Sequence, residues 1–343
     1  MPSYPKEYID SAIDYLKSNN VDFSEAKILI TGASGFVGSW LIELLREYSI
    51  SQSQVMQVVG ITRNSRATQE KIGHDNFRFV NWVEGGVEKI AEIQFEFTHA
   101  LHCATPTTKE TGSQDIENMK VSSIDGMKFL LNAAKLNCNK PRILHTSTGA
   151  VYGNVKLSSG RFPLTQNLES YAIDNSSRHF SYGKAKRQTE DMLLQANKDG
   201  YVSGVNARLF AFYGPGVPTK SHYAIGNLID QAINSRVLTL NGTGMATRSY
   251  MPGNAMAASI LFTLSSEIVG ATHIGSGEGK TLQNWAQIIS DVSGKQLEVL
   301  NKFDDSADKY VPTQDQRIPE IHFQKDAREI VDRWITYEKF NSR

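Results

Sequence analysis

The chain has 343 residues, of which 40% are hydrophobic and 21% are charged, a composition typical of a soluble globular protein of about two domains. Lysine plus arginine and aspartate plus glutamate both total 36, so the zero net charge argues against nucleic acid or an anionic membrane surface as a partner. The sequence shows no apolar run of membrane-spanning length, no signal segment and no Cys/His cluster with metal-ligand spacing. Its two cysteines, Cys103 and Cys138, exclude a disulfide framework, and we predict a cytoplasmic protein with reduced thiols and no metal.

The first elements of the chain lead into a glycine turn. Residues 5–19 have the apolar spacing of a helix, which we interpret as a structural brace or a subunit contact. Residues 27–30 are typical of a buried strand, and after Gly32, Gly35 and Gly38 the apolar spacing becomes helical. A strand, a tight glycine turn and a helix N-terminus form a site for a pyrophosphate, because free backbone N–H groups and the helix dipole face the ligand.

The three glycines are spaced three and three, which differs from the usual G-x-G-x-x-G pattern. An ordinary glycine-rich loop is therefore the alternative interpretation of this segment. The strand before the glycines and the helix after them favour the pyrophosphate site, and a second motif is needed to support it.

The end of the second predicted strand, residues 55–62, indicates which dinucleotide the chain prefers. In a dinucleotide-binding fold this strand end meets the adenosine ribose, where a carboxylate binds the 2′-hydroxyl of NAD and an arginine accommodates the 2′-phosphate of NADP. Here the strand is followed by Arg63 with no acid beside it, and a guanidinium pairs well with phosphate. We therefore predict NADP, and NAD is possible if Arg63 is only a solvated loop residue.

Strand and helix patterns continue to alternate along the chain. Strands are predicted at residues 77–83, 100–104 and 143–147, and a helix is predicted at about 115–137. Ala104 and Thr105 lie where the second of these strands ends, and their small size lets the ribose of a cofactor lie against the backbone. The alternation predicts an α/β fold with a Rossmann-type, doubly wound parallel sheet that binds ligands at the carboxyl ends of its strands.

Thr148, Tyr182 and Lys186 form the predicted catalytic group. Thr148 follows a strand at the edge where a substrate would lie, and Tyr182 and Lys186 share one helix face because they are i and i+4. A nearby ammonium lowers the pKa of a tyrosine from its unperturbed value of about 10 by favouring the phenolate. Such a group can move a proton while a cofactor moves a hydride, with Thr148 holding the substrate oxygen and Lys186 bonding the nicotinamide ribose. A solvated helix face is the alternative explanation of Tyr182 and Lys186 taken alone.

These motifs resemble the extended short-chain dehydrogenase/reductases, in particular the nucleotide-sugar epimerase/dehydratase family. The resemblance extends over about residues 27–334 and is carried by Tyr182 and Lys186 and by the segments 31–38, 147–153, 208–216, 241–244, 248–250 and 274–277. The residues of the glycine turn that the resemblance assigns to cofactor binding are Gly32, Ser34, Gly35, Phe36, Val37 and Gly38.

The resemblance also implies how the chain is divided. A dinucleotide-binding domain would include residues 1–208, and a smaller, mainly substrate-binding domain would follow in residues 209–343. The second part would return to the main sheet at about 246–275. Residues 327–334 are expected to form a helix that packs on the surface.

By the same resemblance, Arg248 matches an arginine that binds the substrate diphosphate, and a surface ion pair is its alternative role. Asn227 lies in the segment that lines the nucleotide-sugar site, where it would bond phosphate or sugar unless it only caps a helix at 228–233. Family members often pair through the helix that carries the catalytic tyrosine and the helix before it. We therefore expect a homodimer with a four-helix interface.

Two positions depart from the family in a way that narrows the reaction. The 4,6-dehydratases of the family carry an Asp-Glu pair directly after the catalytic threonine, and here Gly149 and Ala150 stand there. Neither residue can transfer a proton, so a dehydratase is not expected, and a decarboxylase is disfavoured for the same reason. Ser123 and Ala211 replace asparagines that are common in the family, which affects the predicted proton relay and substrate contacts.

The sequence therefore predicts an NADP-dependent enzyme that acts at C4 of a nucleotide-linked sugar, as a 4-ketoreductase or a 4-epimerase. One alternative is a ketone reductase of a non-nucleotide small molecule, because residues 103–106 resemble those of flavonoid-type reductases, although Arg248 argues against it. The other is a non-catalytic dinucleotide-sensing protein, which the presence of both Tyr182 and Lys186 disfavours.

Overall fold

A computed structural model of the chain describes residues 4–105, 118–137, 139–153, 159–169, 171, 180–220, 223–300, 308–321 and 326–341. Cys138 and the first residues of the helix predicted at 115–137 lie outside this part of the chain. None of the helices in it is both long and apolar enough to cross a membrane.

The described strands are β1 (Lys27–Thr31), β2 (Gln57–Thr62), β3 (Asn81–Glu84), β4 (His99–His102), β5 (Arg142–Thr148), β6 (Ser203–Leu209), β7 (Ala211–Tyr213), β8 (Leu238–Leu240), β9 (Thr247–Arg248), β10 (Tyr250–Pro252), β11 (Gly270–Ile274), β12 (Lys280–Thr281), β13 (Leu297–Val299) and β14 (Lys309–Tyr310). The described helices are α1 (Lys6–Ser18), α2 (Phe36–Gln52), α3 (Ser65–Ile72), α4 (His74–Phe79), α5 (Gly126–Leu136), α6 (Phe180–Lys198), α7 (Ala224–Asn234), α8 (Gly253–Ser265), α9 (Leu282–Ser293) and α10 (Ala327–Asn341). A π-helical turn at Val121–Asp125 precedes α5, and 3-10 turns lie at Val87–Glu92 and Gly149–Tyr152.

The main sheet of the described residues has seven strands in the order β11-β6-β5-β4-β1-β2-β3. All of its strand pairs are parallel, with Ile28 of β1 opposite Val58 of β2 and His99 of β4. The order reverses between β1 and β4, and ligands of doubly wound sheets bind at this kind of switch point, outside the carboxyl ends of the strands. The predicted Rossmann-type fold is confirmed.

Both faces of this sheet are covered, which explains why its central strands read as continuous apolar runs. Ile28 and Ile30 of β1 belong to one core with residues of α2 and α8, and Leu29 belongs to a second core with residues of α5. Every residue of β5 is buried. Helix α1 packs against α2 and α8, so it braces the first of these two cores.

Smaller sheets in the C-terminal part complete the architecture. β7 pairs with β10, β8 pairs with β13, and β9 lies between β12 and β14. β11 runs beside β6 in the main sheet and ends at Ile274, so the chain returns to that sheet after the smaller elements. The division into two domains at residue 208 stays a prediction.

Two local predictions and one alternative interpretation were wrong. Residues 77–79 belong to α4, because Gly73, with φ +83°, starts a new helix whose Phe77 ring stacks on Trp82 of β3 at 5.3 Å. Helix α10 does not merely lie on the surface, since its Trp334 side chain is fully buried and it packs on α9. Helix α7 begins at Ala224, so Asn227 lies inside its first turn and is not its N-cap.

Candidate active site

The glycine turn follows β1, at the point where the strand order of the main sheet reverses. Two of its positions require glycine. Gly32 has φ +66°, and a Cβ on it would lie 2.6 Å from the carbonyl of Cys103. A Cβ on Gly38 would lie 2.5 Å from the carbonyl oxygen of Gly32, so this glycine allows α2 to begin close against the turn. Gly35 precedes α2 and offers no side-chain cap, which leaves the helix N-terminus available to an anionic group.

The predicted cofactor residues Ser34, Phe36 and Val37 are partly exposed around this N-terminus. Lys71 of α3 lies beside them, and its Nζ donates to the carbonyl oxygen of Ser34 at 2.6 Å. Arg63 is exposed immediately after β2. Arg63 therefore follows the strand end that is predicted to meet the adenosine ribose, and Lys71 contacts the glycine turn.

Ala104 and Thr105 follow β4 and lie near the end of β1. The backbone N–H of Ala104 donates to Thr31 Oγ1 at 3.3 Å, and this bond joins the end of β1 to the segment after β4. The Thr105 hydroxyl lies 2.9 Å from the hydroxyl of Ser123, which belongs to the π-helical turn. Ser123, which stands where an asparagine is common in the resembled family, thus contacts the segment that is predicted to bind the cofactor.

The structure brings Tyr182 and Lys186 of α6 to the end of β5. Lys186 Nζ donates to the carbonyl oxygen of Thr146 at 2.6 Å, two residues before Thr148, and lies 6.0 Å from the centroid of the Tyr182 ring. Arg187 donates to the carbonyl oxygen of Val151 at 2.6 Å. Helix α6 is thus attached to the chain on both sides of Thr148.

Lys186 is an unusual lysine because only 1% of it is exposed. Burial lowers its pKa to about 7, since the charged form loses its hydration. Burial also lowers the pKa of His145 well below its usual range, and the positive charge of Lys186 adds to that effect. His145 is therefore neutral at physiological pH, and its neutral imidazole lies beside the Lys186 nitrogen.

Hydrogen bonds determine which nitrogen of His145 faces the lysine. The amide nitrogen of Asn206 donates to the Glu190 carbonyl, so Asn206 Oδ1 accepts from His145 Nδ1 at 3.0 Å. His145 Nε2 is then an acceptor, and it lies 3.4 Å from Lys186 Nζ. His145 could not be identified from the sequence, because a single histidine within an apolar strand carries no motif.

A buried ion pair supports the strand that ends in Thr148. Arg208 Nη2 and Glu190 Oε2 are 2.7 Å apart, and their side chains are only 1% and 6% exposed. Glu190 also accepts from the Ser147 hydroxyl at 2.5 Å. Its position four residues after Lys186, on the same helix face, is the sequence signal that could have identified it.

Arg248 and Asn227, both predicted to bind the substrate, lie in different surroundings. Arg248 Nη2 pairs with Asp308 Oδ2 at 2.8 Å, and its guanidinium carbon lies 5.9 Å from the centroid of the Tyr310 ring. Tyr310 Oη lies 3.4 Å from Thr148 Oγ1, so Arg248 is near the catalytic group. Asn227 is exposed on α7, and among the contacts of the described residues none joins it to Thr148 or Arg248.

Comparison with known proteins shows the family of the chain. The model of the NAD dependent epimerase/dehydratase family matches residues 28–274, well over half of the chain. The chain belongs to this family. The family predicted from the sequence is therefore confirmed, and the match begins at β1 and ends with β11.

Individual relatives are distant. UDP-glucuronic acid decarboxylase 1 of Danio rerio is 26% identical over 270 residues, which cover 78% of this chain and 60% of that protein. UDP-glucuronic acid decarboxylase 5 of Arabidopsis thaliana is 23% identical over 286 residues, which cover 83% of this chain and 80% of that protein. The chain thus spans less than two thirds of the first relative.

Solved structures share the fold. A UDP-N-acetylglucosamine 4-epimerase from Methanobrevibacter ruminantium M1, in complex with UDP-N-acetylmuramic acid, has a TM-score of 0.74 at 20% identity over 92% of this chain and 99% of that one. A UDP-glucuronic acid 4-epimerase from Bacillus cereus, in complex with UDP-glucuronic acid and NAD, has a TM-score of 0.71 at 20% identity with the same coverage.

Proposed function

We propose that the chain is an NAD(P)-dependent enzyme that oxidises or reduces C4 of a nucleotide-linked sugar, as a 4-ketoreductase or a 4-epimerase and not as a 4,6-dehydratase. The observation that carries this proposal is the buried Lys186 ammonium, which lies against the strand that ends in Thr148 and beside the ring of Tyr182. A hydroxyl, a phenol and an ammonium at one sheet edge are the groups that a proton transfer coupled to hydride transfer needs.

In this proposal each residue of the chain has a separate task. Thr148 holds the oxygen on C4, and Tyr182 accepts the proton of that oxygen during oxidation or returns it during reduction. The charge of Lys186 stabilises the phenolate of Tyr182. His145 and the Thr146 carbonyl keep the lysine nitrogen in place.

The residues of the glycine turn fit a dinucleotide. Gly32 has a positive φ and lies so close to the backbone of Cys103 that no side chain fits there, and the N-terminus of α2 that follows has no side-chain cap. A bound NAD or NADP would supply the hydride donor or acceptor. Arg63 and Lys71 support NADP, because two cations beside the ribose favour a 2′-phosphate.

A second reaction is favoured by the names of the relatives. A keto group at C4 is β to a carboxylate at C6, so oxidation of a UDP-glucuronic acid at C4 makes loss of carbon dioxide chemically accessible. Two of the relatives described above are UDP-glucuronic acid decarboxylases. Gly149 and Ala150 argue against decarboxylation if that reaction needs an acidic residue beside Thr148.

The first experiment identifies the cofactor. Purified protein is denatured and the released dinucleotide is identified by mass and absorbance, while empty protein is titrated with NADPH and NADH. Preferential binding of NADPH, reduced in an Arg63→Ala or Lys71→Met variant, supports the ketoreductase. A stoichiometric, tightly held NAD supports the epimerase and contradicts the proposed role of Arg63.

The second experiment identifies the reaction. UDP-glucose, UDP-glucuronic acid and UDP-N-acetylglucosamine are incubated with the protein and NAD or NADP, and the products are identified by NMR. Inversion at C4 supports the epimerase, and reduction of a 4-keto nucleotide sugar by NADPH supports the ketoreductase. A pentose product indicates decarboxylation, and a 4-keto-6-deoxy product would contradict the exclusion of a dehydratase.

We also propose that two copies of the chain pair through α5 and α6. A groove along these helices is lined by apolar side chains such as Met192 and by charged ones such as Lys128 and Asp199, and Leu136 is 84% exposed at the end of α5. Light scattering after size exclusion should give twice the monomer mass. A Leu136→Glu variant, which changes the exposed leucine at the end of α5, should shift that mass toward the monomer if this face is the interface.

A further inference from the structure

Tyr310 occupies the space beside Thr148 that an acidic side chain would need. An ideal Cβ built on Gly149 would lie 2.6 Å from Tyr310 Oη and 2.7 Å from Cε1 of Phe210. Both distances are far below ordinary van der Waals contact. A side chain at residue 149 and Tyr310 in its present position therefore exclude each other.

The position of Tyr310 is fixed by its backbone and by its ring. β14 runs parallel to β9, and the N–H and hydroxyl of Ser249 both donate to the Tyr310 carbonyl oxygen at 3.3 Å. The ring packs against Phe210 at 4.9 Å and against Phe162 at 5.8 Å between centroids. The phenol is thus held in one orientation by groups on three other segments of the chain.

The Tyr310 hydroxyl faces the predicted catalytic group. Its oxygen lies 3.4 Å from Thr148 Oγ1, and the guanidinium carbon of Arg248 lies 5.9 Å from the centre of its ring. Burial raises the pKa of Tyr310 to about 12, so the hydroxyl stays protonated at physiological pH and can donate a hydrogen bond. Tyr310 thus places a neutral donor between the residue predicted to hold the sugar oxygen and the residue predicted to hold the diphosphate.

We propose that Tyr310 is a substrate-contacting, specificity-determining residue whose hydroxyl binds the sugar together with Thr148. This inference rests on the proposed function and adds a residue to it. Dehydratases of the family carry an acidic residue at the position of Gly149, and here the neutral hydroxyl of Tyr310 lies 2.6 Å from where the Cβ of such a residue would be. The ligand it selects is the sugar part of a nucleotide sugar, and the nucleotide part lies beyond its reach on the Arg248 side.

The first test is nucleotide binding. Tyr310→Phe removes only the hydroxyl and keeps the ring packing, and it is made in a Tyr182→Phe background so that the sugar is not turned over. Calorimetric titration of the dinucleotide-loaded protein compares UDP and dTDP with UDP-glucose, UDP-glucuronic acid and dTDP-glucose. We expect the sugar nucleotides to bind about tenfold more weakly and the free nucleotides to bind equally well.

The control variant is Tyr171→Phe, whose ring packs on Tyr152 at 5.2 Å within the same aromatic cluster. It should leave the binding of every nucleotide unchanged. Equal weakening of UDP and UDP-sugars by Tyr310→Phe, or no weakening of either, would overturn the role of Tyr310 while the proposed function stands. If wild-type protein binds none of the five nucleotides, UDP- and dTDP-linked sugars are excluded as substrates, and the role of Tyr310 toward them is excluded as well.

A second test measures the coupling of the two residues without any substrate. Gly149→Ala should lower the thermal unfolding midpoint in the wild-type background, because its methyl group overlaps the phenol and the Phe210 ring. In a Tyr310→Ala background the same substitution should lower the midpoint by a smaller amount, since the phenol is absent. An equal decrease in both backgrounds would show that Tyr310 does not occupy the space beside Gly149.

Discussion

The side-chain nitrogen of Lys186 is buried and lies 2.6 Å from the carbonyl oxygen of Thr146, two residues before Thr148. The bond connects α6, which carries Tyr182, to β5, which ends in Thr148. One lysine therefore has two consequences. Lys186 holds α6 against β5 and supplies the positive charge of the predicted catalytic group. Because its side chain is buried, its charged form is poorly solvated.

The pH dependence of stability should report this lysine. Its pKa is about 7 in the folded protein and about 10.4 in an unfolded chain, so the unfolded chain binds more protons between these values. The free energy of unfolding should therefore rise with pH from about 7 to about 10, by up to about 1.4 kcal/mol per pH unit. Below pH 7 the lysine is protonated in both states and its contribution to the slope disappears.

The measurement is chemical denaturation of wild type and Lys186→Met at several pH values. The difference between the two proteins should grow in favour of wild type as pH rises through this window. Lys184→Met, which changes an exposed lysine of the same helix, should follow wild type. Parallel curves for wild type and Lys186→Met would show that Lys186 keeps an ordinary pKa.

Replacement of Tyr182 by phenylalanine should remove turnover and keep cofactor binding. The substitution deletes the proposed proton donor, and general acid–base groups contribute about 10²–10⁴-fold to rate. The rate is measured with whichever nucleotide sugar wild type converts, and cofactor affinity is measured by fluorescence titration. Tyr171→Phe, outside the predicted catalytic group, serves as the control, and a fully active Tyr182→Phe variant would exclude Tyr182 as the proton donor.

Gly32→Ala should be more destabilising than Gly200→Ala. Both glycines have positive φ, +66° and +83°, which costs a side-chain-bearing residue about 1–2 kcal/mol. A Cβ on Gly200 meets open space, whereas a Cβ on Gly32 would overlap the backbone of Cys103 and Ala104. Thermal unfolding and dinucleotide titration of both variants should show a larger loss of stability, and a loss of binding, only for Gly32→Ala.

Removing one charge of the buried ion pair should be costly. Glu190→Gln leaves Arg208 charged and buried without its carboxylate, and breaking such a pair typically costs about 3–5 kcal/mol. Glu70→Gln breaks the exposed pair with Arg66 and should change the unfolding free energy little, because solvent screens that pair. Similar unfolding free energies for the two variants would mean that the Arg208–Glu190 pair does not stabilise the folded state.

The order of the main elements could be predicted because each signal was local. A run such as Ile28–Ile30 is buried on both faces, and glycines at residues 32 and 38 are required by contacts within one turn. Residues 74–79 could not be assigned correctly, since the aromatic pattern of Phe77 and Phe79 fits a strand as well as a short helix. In the short helix the Phe77 ring stacks on Trp82 of β3, and the sequence pattern gives no sign of this contact.

Tyr182 and Lys186 could be identified from the sequence because their signal is also local. The two residues are one helical turn apart. His145 and Tyr310 had no such signal. Tyr310 is 162 residues from Thr148 in sequence, and only the pairing of β14 with β9 brings it to the site. The burial of Trp334 likewise depends on packing between helices and not on its own helix pattern.

The central claim is that hydride leaves or enters C4 of a nucleotide sugar at the Thr148–Tyr182–Lys186 group. The most direct measurement uses UDP-glucose and UDP-glucuronic acid deuterated at C4, incubated with the protein and its cofactor. Mass spectrometry of the cofactor should show one deuterium in the reduced dinucleotide with wild type and none with Tyr182→Phe. Turnover of either sugar with all deuterium retained on C4 and none ever found in the dinucleotide would contradict the account.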